Sequence, residues 1–165
     1  VCNLAQHSYF NLTGRPDMNG HKLKVAAEHY LPVDNEFIPT GEVLSVDGTG
    51  FDFRQPEPLP TKQPLNHNFC LSADRQPLRP VAWLSAEEAG VTLELRTTEP
   101  GLQLYDGSLL SSGVKGLNGH VYGPCSGLAL EAQLWPDAPH HPHFPSALLL
   151  PDELYFQQTE LKFIR

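Results

Sequence analysis

The chain has 165 residues, 40% of them hydrophobic and 18% charged, enough apolar content to bury the core of one domain and too little charge for a disordered polymer. Its formal net charge of −8, with no Lys/Arg-rich stripe to offset it, argues against nucleic acid and anionic membrane and leaves neutral or small partners. No stretch approaches the ~18 consecutive apolar residues of a membrane span. The three cysteines, Cys2, Cys70 and Cys125, lack the spacing of a disulfide framework or zinc ribbon and read as free, mostly buried thiols in a reducing, cytoplasmic setting.

The run Val1–His7 has neither the basic region nor the apolar stretch of a signal peptide. It opens without Met, on residues that resemble a strand interior, so the chain is expected to be a fragment of a longer product. His7 then sits in Gln6-His-Ser-Tyr-Phe-Asn-Leu12. An imidazole in such a polar and aromatic setting can act as a general acid near neutral pH, and a hydrogen-bonded structural histidine fits the same motif. After a Gly14–Gly20 loop a strand is predicted over His21–Leu31. Loops at Pro32–Gly41, Asp47-Gly48 and Pro56–Pro64 follow, then a short strand at Phe69–Leu71 and a weak helical turn at Ser85–Gly90.

Val91–Thr97 alternates Val91, Leu93 and Leu95 with Thr92, Glu94 and Arg96, the period of a half-buried strand. Glu99-Pro-Gly101 is a turn, and Leu102–Tyr105 resumes the alternation. A Gly107–Gly119 loop leads to Leu128–Leu134, where Leu128, Leu130 and Ala132 share one face and Ala129, Glu131 and Gln133 the other. A carboxylate among apolar neighbours is costly unless it is paired or functional, although a strand face open to water would also accommodate Glu131. The Pro136–Pro145 loop carries His140-His-Pro-His143, whose spacing does not converge on a metal, so it reads as a solvated loop and no metal site is expected. Leu154–Ile164 closes the chain as one long strand or two short ones.

With 16 prolines and 13 glycines spread along it, the chain leaves little room for long helices and points to an all-β sandwich or barrel. Its long loops hold polar and aromatic residues, as sugar sites require. No GxGxxG, GxxxxGK[ST] or GxSxG occurs, which removes nucleotide binding and serine-hydrolase chemistry as leading ideas. Asp34 with Glu36, or Glu87 with Glu88, are read as solvated loop charges and not as a glycosidase pair.

Eight segments in order resemble the aldose 1-epimerase (galactose mutarotase) family, animal type. They are His7-Ser-Tyr-Phe-Asn-Leu12, Tyr30-Leu-Pro-Val-Asp34, Ile38-Pro-Thr-Gly-Glu42, Gly48-Thr-Gly-Phe-Asp-Phe-Arg54, Asn66-His-Asn-Phe-Cys70, Thr97-Thr-Glu-Pro-Gly-Leu-Gln-Leu-Tyr105, Leu130-Glu-Ala-Gln-Leu-Trp-Pro-Asp-Ala138 and Phe144-Pro-Ser146. The resemblance implies an antiparallel β-sandwich of the galactose mutarotase-like supersandwich type, with residues 1–165 as the C-terminal portion of a single domain. It implies His7 as general acid and Glu131 as general base, with Ser8, Tyr9 and Gln103 lining the sugar site and no cofactor. Asn66 stands where the family has an acidic residue, and Pro56–Leu65 is shorter than the family's segment.

The implied activity is interconversion of the α and β anomers of free hexoses such as galactose and glucose. A truncated or inactive relative that only binds carbohydrate is the alternative. An epimerase of hexose 6-phosphates would need a basic cluster that this sequence lacks. The family reading is monomeric, whereas half a sandwich would expose strand edges and self-associate.

Overall fold

Val91–Thr97 folds as its alternation requires: Leu93 and Leu95 are fully buried while Thr92, Glu94 and Arg96 face outward. The same logic extends to thirteen strands in the computed structural model, which describes residues 1–59, 63–111, 113–116 and 119–165. In chain order these are β1 (Tyr9–Phe10), β2 (His21–Val25), β3 (His29–Tyr30), β4 (Leu44–Ser45), β5 (Glu57–Pro58), β6 (Asn66–Cys70) and β7 (Arg79–Ala86). They continue with β8 (Val91–Thr97), β9 (Gly101–Tyr105), β10 (Val114–Lys115), β11 (Val121–Tyr122), β12 (Leu128–Gln133) and β13 (Thr159–Ile164).

Among the described residues, a six-stranded antiparallel sheet runs β1-β12-β9-β6-β3-β4 and a five-stranded one runs β13-β8-β7-β2-β5, with β10 and β11 a separate hairpin. The two large sheets enclose one core. Leu23, Val25, Leu84, Leu93 and Leu95 from one meet Phe69, Leu102, Leu104, Leu128 and Leu130 from the other. Inward and outward residues alternate along strands such as β2 and β8, as in a sandwich. The expected all-β antiparallel sandwich is what the chain forms, and a short 3-10 turn, Ala138–His140, lies in the Pro136–Pro145 loop.

Five elements differ from the sequence reading. The strand expected over His21–Leu31 is two strands in different sheets, β2 and β3, joined by a crossing at residues 26–28. Burial at Leu23, Val25 and Ala27 keeps period two through the crossing, so periodicity cannot register the change of partner. β6 begins at Asn66, earlier than the expected Phe69, because its polar residues face a cavity instead of water. β7 is central yet had no sequence signal: a register shift between Pro80 and Ala82 puts Val81 and Ala82 both inside and breaks the alternation. Of the expected turn at Ser85–Gly90, Ser85 and Ala86 complete this strand and residues 87–90 form the turn that caps it, and only Thr159–Ile164 of the C-terminal run enters a sheet.

Glu99, wholly buried beyond β8, receives Arg75 Nε on Oε1 at 2.6 Å and Nη2 on Oε2 at 3.2 Å. The Arg75 guanidinium in turn lies 4.7 Å over the Tyr155 ring. Tyr155 Oη accepts a bond from the Leu4 amide at 3.3 Å, and Gln157 donates to the Leu4 carbonyl at 2.6 Å. Asn3 exchanges two bonds with Leu134 at 2.9 and 3.2 Å. These contacts tie both chain ends to the strand that carries Glu131. No helix among the described residues is long and apolar enough to cross a membrane.

Candidate active site

In an antiparallel sheet, residues paired in register point to the same face. β12, β9 and β6 are neighbours, and their register sets Glu131 opposite Gln103 and Gln103 opposite Asn68. The next row is Ala129–Tyr105–Asn66, continued to β1 by Tyr9 opposite Ala129. One face of these strands is therefore leucine and phenylalanine in the core, and the other carries carboxylate, amides and phenols.

Above that polar face lies a cavity of about 320 Å³, lined by His7, Asn66, Asn68, Gln103, Tyr105, Glu131 and Gln133 and closed by Val33, Phe37, Pro39 and Pro136. It falls at the small end of the about 300–1,000 Å³ typical of small-molecule sites. Phe37 holds a left-handed φ of 62°. The Asp34 carboxylate fixes this turn by accepting the Glu36 and Ile38 amides at 2.8 and 3.0 Å. The result is an aromatic ring over the rim.

His7 Nε2 stands 3.4 Å from Glu131 Oε1, with the histidine side chain 53% exposed and the glutamate 10%. Burial pushes the Glu131 carboxyl above the ordinary carboxylate range, and a protonated His7 pulls it the other way. The imidazole is steered by aromatic neighbours, with Tyr9 at 5.2 Å and Tyr105 edge-on at 6.5 Å between centroids. Burial, followed by Tyr105 and Glu131, raises the Tyr9 phenol, which keeps it neutral. Gln103 Nε2 donates to Asn66 Oδ1 at 2.8 Å, so the amide at position 66 stays in the cavity wall.

Of the residues singled out from the sequence, His7, Asn66, Gln103 and Glu131 meet at this cavity. Tyr9 packs against His7 without lining it, and Ser8 is exposed, outside the lining, with its hydroxyl bonded to the Gln6 amide. Alternation along an extended segment accounts for this, since Ser8 points away from the side shared by His7 and Tyr9. Sequence reasoning missed Phe37, Asn68, Tyr105 and Gln133. Gln133 was already on the Glu131 face of the alternation, whereas Asn68 had no local signal.

His67, between Asn66 and Asn68, faces the core, stacked 4.4 Å from Phe51, and burial lowers its pKa. The histidine run is less open than a solvated loop: His141 is half-buried, 4.8 Å from the Phe144 ring, and it and His140 both face Asp137. Asp34, Glu36, Glu87 and Glu88 are exposed. Among the described residues no group of three or more His, Cys, Asp or Glu could hold a metal ion, and all three cysteines are free thiols. Residues 60–62, within the Pro56–Leu65 stretch expected to be short, and residues 112, 117 and 118, within the expected Gly107–Gly119 loop, lie outside the described residues.

Residues 1–162 match the family model described as Aldose 1-epimerase. The chain is similar to the galactose mutarotases of Mus musculus and Homo sapiens, at 44% identity over 169 residues, covering 98% of this chain and 49% of each relative. Its backbone is similar to the crystal structure of an aldose epimerase homologue from C. elegans, with a TM-score of 0.89 at 31% identity, covering 98% of this chain and 51% of that one. The chain thus spans about half the length of the curated relatives it matches.

Proposed function

The chain belongs to the aldose 1-epimerase family, and from that premise we propose that its cavity interconverts the α and β anomers of free hexoses such as galactose and glucose. The observation that carries the reading is the acid–base pair: an exposed imidazole and a buried carboxylate 3.4 Å apart at the cavity. The anomeric hydroxyl oxygen and the ring oxygen share one carbon, C1, so a pair this close can serve both. Glu131 takes the proton of the anomeric hydroxyl while His7 gives one to the ring oxygen. The C1–ring-oxygen bond breaks and an aldehyde forms. Rotation about C1–C2 presents the other carbonyl face. Ring closure then reverses both proton transfers and restores His7 and Glu131.

The two groups must begin in opposite protonation states. A protonated His7 stabilises an ionised Glu131 against the burial that favours its neutral form. Polarimetry on freshly dissolved α-D-galactose tests the reading, with acceleration over buffer as the expected result. No acceleration overturns it for this chain and favours the second reading, a non-catalytic sugar binder, which the uncharged amide of Asn66 in the cavity wall supports. The pH profile is a further check. Because burial raises Glu131, its base form disappears at a higher pH than for an ordinary glutamate. The acid limb of kcat/KM is expected to lie above the usual value of 4.5. A limb at or below that value removes Glu131 as the base.

Self-association is the other expected property. β13 is the outer strand of its sheet, and its core-side residues Leu161 and Phe163 are 37% and 57% exposed. Antiparallel pairing of two copies about Leu161 would set Glu160 opposite Lys162 in both directions, so charge and apolar surface match a second copy of this strand. Light scattering is expected to show a dimer that Phe163→Lys converts to monomer. A wild-type monomer at high concentration removes the idea.

A further inference from the structure

Asn68 ends the cross-strand row that starts at Glu131, lines the cavity, and is only 1% exposed. Neither its amide nitrogen nor its carbonyl oxygen has a hydrogen-bond partner among the described residues. A primary amide can donate two bonds and accept two, and buried groups of this kind are almost always satisfied. The neighbours do not meet the demand. Gln103 is committed to Asn66 at 2.8 Å. The Cys70 thiol beside Asn68 is held protonated by burial, a weak partner at best, and no hydrogen bond of ordinary geometry joins the two.

The backbone also makes room for this side chain. At Gly101, on the adjacent strand, a Cβ would come within 2.5 Å of Asn68 Oδ1 and 3.0 Å of the Trp135 ring. Only glycine leaves the amide its place. The sheet thus seats a polar side chain in the cavity wall for which the described residues supply no partner.

We propose that Asn68 binds a hydroxyl of the hexose held at the His7–Glu131 pair, and so helps to set which hexose the cavity accepts. The proposal rests on the epimerase reading of the same cavity. Strands lie about 4.8 Å apart, so Asn68, two strands from Glu131, stands about 10 Å from it at the backbone. That places its amide on the far side of the sugar ring from C1, where hexoses differ in hydroxyl configuration.

Equilibrium binding of D-galactose to wild type and Asn68→Leu tests this, together with their melting temperatures. Removing an unmet buried amide is expected to leave melting unchanged or raise it, while galactose affinity falls roughly tenfold. Equal affinity in the two chains overturns the proposal, as does a wild type that binds no galactose. Should Asn68→Leu melt lower or fail to fold, the wild-type Asn68 side-chain NH2 resonances decide: they are expected to shift on adding galactose, and unmoved signals overturn the proposal. Mutarotation separates the two ideas. A chain that binds galactose through Asn68 without accelerating mutarotation defeats the epimerase reading alone. One that accelerates it with Asn68→Leu as tight as wild type defeats the Asn68 proposal alone.

Discussion

Replacing Glu131 with glutamine is expected to slow anomer interconversion by about 10²–10⁴-fold, the usual contribution of one positioned acid or base. Glutamine keeps the shape and the hydrogen-bonding oxygen but cannot take the proton of the anomeric hydroxyl. The loss should fall on kcat, with KM little changed. Stability should move the other way. Burial raises the folded-state pKa of Glu131 above its unfolded value. Its contribution is therefore fully present at low pH and is lost as pH rises through the folded value. At neutral pH the variant should melt no lower than wild type. Polarimetry and a melting curve on the same sample check both halves. An unchanged rate, or a rate loss matched by a drop in melting, removes Glu131 from the chemistry.

The largest stability effect is expected at Arg75. Substitution by methionine preserves the aliphatic stem beside Tyr155 but leaves the Glu99 carboxylate, wholly buried, without either of its two guanidinium bonds. Breaking a buried pair from one side costs about 3–5 kcal/mol, because the remaining charge is stranded away from water. Denaturant unfolding should report that loss for Arg75→Met. Arg75→Met with Glu99→Leu should recover most of it, since an apolar pair strands nothing. A single variant as stable as wild type would mean that water reaches Glu99 freely.

How much of this could be read from the sequence depended on whether the information was local. Leu128–Gln133 announced both its strand and the odd position of Glu131, because period two separates faces within six residues. β7 could not announce itself, since a bulge at Pro80–Ala82 destroys that period where the strand enters the core. His7 belongs to a segment whose strand is only two residues long. Its polar and aromatic setting and the resemblance both mark it as a candidate general acid, whereas strand periodicity does not. Asn68 was invisible for a further reason: a polar residue in a short strand looks like solvent exposure until the neighbouring strand shows that it faces a cavity. The meeting of His7 with Glu131, far apart in sequence, depends on the β1–β12 pairing, which no local window contains.

The row Glu131–Gln103–Asn68 also dictates how this protein can change over generations. A pairing register has parity: shifting a strand by one residue exchanges its faces, and shifting it by two restores them. One residue gained within β9 ahead of Gln103 would put a leucine into the cavity and an amide into the core. Inheritance of the cavity should therefore tolerate exchanges of side chain along the row and changes of length in rim loops such as residues 32–41. Single-codon gains or losses inside the three strands should be purged. Diversification of ligand preference in such a sheet is expected to proceed by substitution within strands and by insertion only between them.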